Sequence, residues 1–167
     1  MKKLLTNGTV MTRDAACPMI EHGAVLFEDG VITAAGPAAA LEQAHPDAQR
    51  IDAKGGIILP GFINTHQHIY SAFARGLTIP GNCPTDFPGV LAGTWWNIDR
   101  HLTRQMTRMS AYMTLIEGIR SGVTTVFDHH ASFCEIEGSL DEIAEAATTL
   151  GVRACCLLYT SDAADEL

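Results

Sequence analysis

Leu59-Pro60-Gly61-Phe62-Ile63-Asn64-Thr65-His66-Gln67-His68 is the stretch that decides the fold. Pro60-Gly61 punctuates the chain, and an apolar run then leads into two histidines two residues apart. Phe62–His68 reads as a strand, on which residues two apart share a face, so His66 and His68 project together. They stand at the strand's C-terminal end, where barrels and open α/β sheets carry their active sites. Two converging imidazoles supply two of the ligands a divalent metal needs. The same pair would also serve as two polar residues closing a strand, so spacing alone leaves both readings open.

Downstream, Gly76–Gly93 is a long loop rich in Pro and Gly. Thr103 can cap a helix carrying Met106, Met109, Met113, Ile116 and Ile119 at helical spacing, a stripe expected to pack in the core. Gly122 closes that helix, and Val123–Asp128 follows as a strand. Ser139-Leu140-Asp141-Glu142 has the form of a capping box opening a second helix, which Gly151 ends before the strand Val152–Cys155. Strand, helix, strand, helix, strand predicts an α/β fold with a parallel sheet.

Upstream, turn pairs predict a small β domain. Asn7-Gly8, Asp29-Gly30 and Gly55-Gly56 each separate two strand-like runs, as two-residue hairpins would. Ala38–Ala44 is a short helix, ended by His45-Pro46. The domain reading is therefore 1–59 for the β unit and 60–155 for the α/β unit.

Composition narrows the function. With 47% hydrophobic and 18% charged residues the chain is globular rather than disordered. Its net charge of −8 argues against nucleic-acid or anionic-membrane partners. No apolar run approaches the roughly 18 residues of a spanning helix. Cys17, Cys83, Cys134, Cys155 and Cys156 lack disulfide or zinc-ribbon spacing and suit reduced thiols in the cytoplasm. Metalloprotease, P-loop, nucleophile-elbow and dinucleotide fingerprints are absent, as is the Cys-x-x-Cys signature of the other zinc-deaminase fold.

Pro60-Gly61-Phe62-Ile63-Asn64-Thr65-His66-Gln67-His68, entered through Asp52-Ala53-Lys54-Gly55-Gly56, resembles the first barrel strand of the amidohydrolase superfamily. Ser121–Asp128 resembles its second, and Leu4–Gly8 the start of its flanking sandwich. His66–Gly76 with Trp95-Trp96 is similar to the branch of nucleobase-type deaminases and chlorohydrolases. The resemblance covers residues 1–155. It implies a (β/α)8 barrel, truncated here to its first three strands and preceded by part of a small β-sandwich. It also implies one divalent metal, zinc or iron, held by His66 and His68 together with a fifth-strand His and an eighth-strand Asp. The metal would polarise water for attack on a carbon bearing an amino group or halide. The later ligands and the acid/base residues have no counterpart in this chain, so no catalytic residue is assigned and the 167 residues alone are expected to be inactive. The intact protein would act on a small molecule and could be a homo-oligomer. Two other readings stay open: a binuclear cyclic amidase, and a non-catalytic binding protein derived from the barrel.

Around the pair, Trp95 and Trp96 are candidates for a wall that stacks on a flat heterocycle. Val123 and Phe127 are bulky and are expected to face the helices. That leaves Thr124, Val126, Asp128 and His130 toward the barrel interior and makes His130 a candidate substrate contact. Arg75, His22, His45 and His101 read as structural or surface residues, and Glu117 as an ion-pair partner. Cys156–Glu166 matches the in-frame translation of a transposase-type sequencing adapter, so 156–167 are expected to be an artefact and are set aside.

Overall fold

The structure is a computed structural model and describes residues 1–158. It divides after Pro60 into two compact units, the first being Met1–Pro60.

The first unit contains β1 (Lys2–Met11), β2 (Met19–Glu28), β3 (Val31–Pro37), α1 (Ala38–Ala44), β4 (Gln49–Asp52) and β5 (Ile57–Ile58). β1–β2 and β2–β3 pair antiparallel, while β4 and β5 each run parallel to β1. Leu4, Ala24, Leu26 and Ala48 form its core, with Leu41 of α1 packed against them. Asp29-Gly30 makes the expected tight turn, with φ of 49° and 86°. The other two expected hairpins are corrected. Asn7 and Gly8 lie inside an unbroken β1, where Leu5↔Val25 and Gly8↔Gly23 leave one extra residue on β1. That bulge carries the positive φ of Asn7, 58°, in place of a turn. Glycine follows because a Cβ at position 8 would meet the Gly56 carbonyl oxygen at 2.7 Å. Gly55-Gly56 joins two strands that both pair with β1 and not with each other.

The second unit contains β6 (Phe62–Gln67), a 3-10 turn at Ile69–Ala74, α2 (Phe87–Val90), a π-helical turn at Leu91–Trp95, α3 (Trp96–Asp99), α4 (Arg104–Arg120), β7 (Val123–His130), α5 (Ser139–Leu150) and β8 (Arg153–Leu158). The strands form a parallel sheet in the order β6-β7-β8. This is the expected βαβαβ alternation. Thr103 caps α4 by accepting the Met106 N–H at 3.3 Å. Gly122 and Gly151 take the left-handed conformation that ends α4 and α5, with φ of 82° and 71°. Ile69, Ala111, Leu115, Val126, Ile143 and Ala146 make the core between β7 and the helices.

Three details differ from the sequence expectation. The methionine stripe is not core: Met106, Met109 and Met113 are 43–50% exposed, while Thr107, Ser110, Ala111 and Leu115 form the buried face of α4. Small residues there allow α4 to lie close to its neighbours, which the longer stripe would not. The capping box at Ser139 does not form, and Gly138 occupies the cap position. Glu142 instead accepts charge-assisted bonds from Arg104, at 2.9 Å, and from Arg108, which outcompete a backbone N–H. Finally, β8 runs past Cys155, with Cys156, Leu157 and Leu158 opposite Asp128, His129 and His130. The rest of the 156–167 segment lies outside the described residues.

Candidate metal centre

The candidate site is built at the C-terminal ends of β6 and β7. Asn64 pairs with Val126 and Gln67 with Asp128, so three steps on β6 match two on β7 and β6 carries one extra residue. This bulge changes which residues share a side. The His66 and His68 rings lie 5.0 Å apart, edge to face, with His129 at 5.7 and 5.9 Å from them. The expectation that His66 and His68 project together holds in the geometry, and the bulge changes only their side relative to Asn64.

His68 is held from two directions. Its ring Nδ1 lies 3.1 Å from the His129 carbonyl oxygen, and its own carbonyl accepts the Ser71 hydroxyl. A carbonyl oxygen only accepts, so Nδ1 carries the proton and Nε2 keeps its lone pair. That is the tautomer a metal requires, fixed by a bond to the opposite nitrogen. Burial pushes the His68 pKa down, the His129 carbonyl partly offsets this, and the neighbouring imidazoles of His66 and His129 push it further down. A neutral imidazole is therefore favoured, and the donor chemistry of the pair fits a divalent cation. Among the described residues no group of three or more His, Cys, Asp or Glu is arranged to hold a metal. The pair accordingly offers two imidazole donors, fewer than the four of a tetrahedral site.

Trp95 lies beside this pair, its ring 6.1 Å from His68 and 6.4 Å from Tyr70. It ends the π-helical turn, an irregularity frequent at functional positions. Trp96 is the next residue, about 100° further round the helix, and so presents a different face.

Val123 packs against the helix core as expected, but from Val126 onward the facing of β7 is the reverse of the expected one. Val126, Asp128 and His130 are buried, Val126 against α4 and α5, whereas Phe127 is 44% exposed. Bulk was a poor guide because the helix layer accepts the polar residues on specific terms. The Asp128 carboxylate takes the Ile69 N–H at 2.7 Å, and the His130 ring packs edge-on to Tyr70 at 5.6 Å. His130, fully buried, is thus corrected from barrel-facing to helix-facing, and His129 is the member of the pair beside His66 and His68. Residue-by-residue alternation anchored on Asp128 rather than on Phe127 would have found it.

Burial leaves its mark on these groups. It pushes His130 down to about 4 and raises Asp128 to about 6, the latter restrained by the Ile69 N–H and Cys156. Asp99 is raised to about 6 by burial, against the Tyr70 hydroxyl bonded to it. Glu117 pairs with Arg120 at 3.5 Å on the surface, and His101 donates through Nδ1 to the Asn97 carbonyl. No helix among the described residues is long and apolar enough to cross a membrane.

Comparison with known proteins bears on the family and the fold. Residues 57–165 match the profile of the amidohydrolase family, and residues 23–48 that of an imidazolonepropionase-like composite domain of bacteria. The 5-methylthioadenosine/S-adenosylhomocysteine deaminase of Shouchella clausii is 31% identical over 92% of this chain and 33% of its own length. The 8-oxoguanine deaminase of Pseudomonas aeruginosa is 33% identical over 79% of this chain and 29% of its own. Among solved structures, a variant of atrazine chlorohydrolase from Arthrobacter aurescens complexed with zinc and atraton superposes with a TM-score of 0.75 at 29% identity. That match covers 92% of this chain and 34% of the other. The chain spans about a third of the length of the curated relatives it matches.

Proposed function

The chain belongs to the amidohydrolase family, and from that premise we propose that it forms the metal-binding start of a hydrolase acting on carbon–nitrogen bonds outside peptides. The reaction we assign is removal of an amino group from a heterocyclic or amidine-type small molecule, in a cytoplasmic enzyme. The observation that carries this is the His66–His68 pair, 5.0 Å apart at the mouth of a parallel sheet with the His68 tautomer set by the His129 carbonyl. The deaminase names of the relatives support the reaction class.

His66 and His68 would hold one divalent metal, zinc in this reading, with iron as the other candidate. Bound there, such an ion lowers the pKa of water toward neutrality and so supplies a nucleophile. The chain's own residues bind and orient. His68 is fixed by β7, His129 stands beside the pair within reach of a ligand, and Trp95 offers an aromatic face on which a flat ring can stack. Trp96 and His130 are left out of this contact set because of the faces they occupy. Two imidazoles do not complete a tetrahedral site, so the 167 residues alone are expected to hold zinc weakly and to turn over nothing.

The test is metal analysis beside ammonia release, over a panel of aminopurines, aminopyrimidines and aminotriazines, on the product of the gene that carries this chain. One metal per chain and turnover of at least one ring are expected. In that background Trp95→Ala is expected to raise KM about tenfold with kcat little changed, since stacking acts on ground and transition states alike. Ring-opened products without ammonia would replace this reading by the cyclic-amidase one, and stoichiometric metal without turnover by a binding protein.

The adapter reading of 156–167 is a separate proposal. Amplifying the locus from source DNA is expected to give different sequence after Cys155. A genomic sequence identical through Leu167 would overturn it.

A further inference from the structure

We propose that Asn64 is a positioning residue for the metal pair: its side-chain amide holds the bulge in β6 that turns His66 and His68 together away from Asp128 and toward His129. The inference rests on the reading of His66 and His68 as metal ligands. A regular strand would place positions 64, 66 and 68 on one side. Here the extra residue on β6 lets Asn64 and Gln67 bond to each other, and both line a cavity of about 570 Å3 together with His68, Trp95, Val126 and Glu117. His66 does not line that cavity and stands beside His68 and His129.

Without the bulge His66 would stand opposite Asp128 and His68 opposite His130, both on the buried side of the sheet and away from His129.

Both functions of the Asn64 amide are used at the bulge. Its Oδ1 accepts the backbone N–H of His66 at 3.2 Å, and its Nδ2 donates to Gln67 Oε1 at 2.7 Å. One bond fixes the peptide that carries His66, and the other ties the two ends of the bulged segment together. Bulges of this kind re-aim a side chain next to a site, and removing a group that orients a ligand typically costs about 10- to 100-fold in metal affinity. Leucine has nearly the same size and makes neither bond. Aspartate keeps the acceptor for the His66 N–H, and the Gln67 amide can rotate to donate to it.

The experiment is a zinc and cobalt titration of the whole chain, followed by the ring-proton resonances of the histidines and by cobalt absorption. Asn64→Leu is expected to weaken zinc about 10- to 100-fold and to alter the cobalt bands, and Asn64→Asp to stay within about threefold of the parent. Should Asn64→Leu fail to fold, Gln67→Leu, which removes only the outer bond, is expected to weaken zinc several-fold. Unchanged affinity in Asn64→Leu, or in Gln67→Leu where that variant stands in, overturns the proposal. Equal loss in Asn64→Leu and Asn64→Asp does so as well. His66→Ala separates the two levels. If it leaves zinc affinity unchanged, the metal reading fails; if it lowers affinity while Asn64→Leu does not, only the positioning role fails.

Discussion

Replacing His66 and His68 together by alanine is expected to reduce bound metal from one equivalent to background and to abolish turnover in the product of the complete gene. In the proposed reading the two rings are the metal ligands this chain supplies, and a divalent ion that loses them is held too weakly to survive purification. Each single variant is expected to show the same loss of stoichiometric metal. The effect is separable from unfolding, because the His66 side chain is exposed and loss of His68 costs one bond to the His129 carbonyl. Melting temperatures of the variants without metal should therefore stay close to that of the metal-free parent. His129→Ala is the contrasting case: metal content is retained and KM changes, since the ring stands beside the pair without completing a ligand set. Full metal occupancy in the double variant, by elemental analysis after dialysis, would defeat the assignment.

The features that were legible in the sequence are those whose cause is local. Thr103, Gly122 and Gly151 act on the helix ends next to them, and Asp29-Gly30 needs only its own two positive φ angles. The His66–His68 spacing also brings the two rings together as expected. The features that were not legible depend on a partner strand or on a distant competitor. Asn7-Gly8 carries the signal of a hairpin, yet the backbone conformation it supplies is spent on a bulge that lets β5 approach β1. The bulge in β6 is invisible without the register of β7. Glu142 was read as the end of a capping box because the arginines that claim it lie more than thirty residues earlier. The facing of β7 was inverted because bulk was weighed above hydrogen-bonding opportunity, which only the 3-10 turn after β6 creates for Asp128.

Acid is expected to expose the cost of the buried His130. Its ring is fully buried, neither ring nitrogen has a hydrogen-bond partner among the described residues, and burial pushes its pKa to about 4. In the unfolded chain the same group titrates near 6.5. Between those values the unfolded state binds more protons, so the His130 contribution is fully present above about pH 6.5. It is lost as pH falls toward 4, by about 3 kcal/mol. Asp99 and Asp128 act in the opposite sense. Their pKa values are raised to about 6, so the folded state binds more protons than the unfolded one between roughly pH 4 and 6, and acidification favours folding through them. The profile of the parent is a difference between these contributions, and His130 is isolated only by comparison. Urea titrations of the parent and of His130→Leu at pH 7 and pH 4 are expected to show the stability difference moving by about 3 kcal/mol in favour of the variant at the lower pH. Because the ring packs edge-on to Tyr70, the substitution carries its own packing cost, but that cost is the same at both pH values and cancels in the comparison. A stability difference that does not change with pH would show that His130 is protonated equally in the folded and unfolded chain, and that the ring is not held neutral by burial.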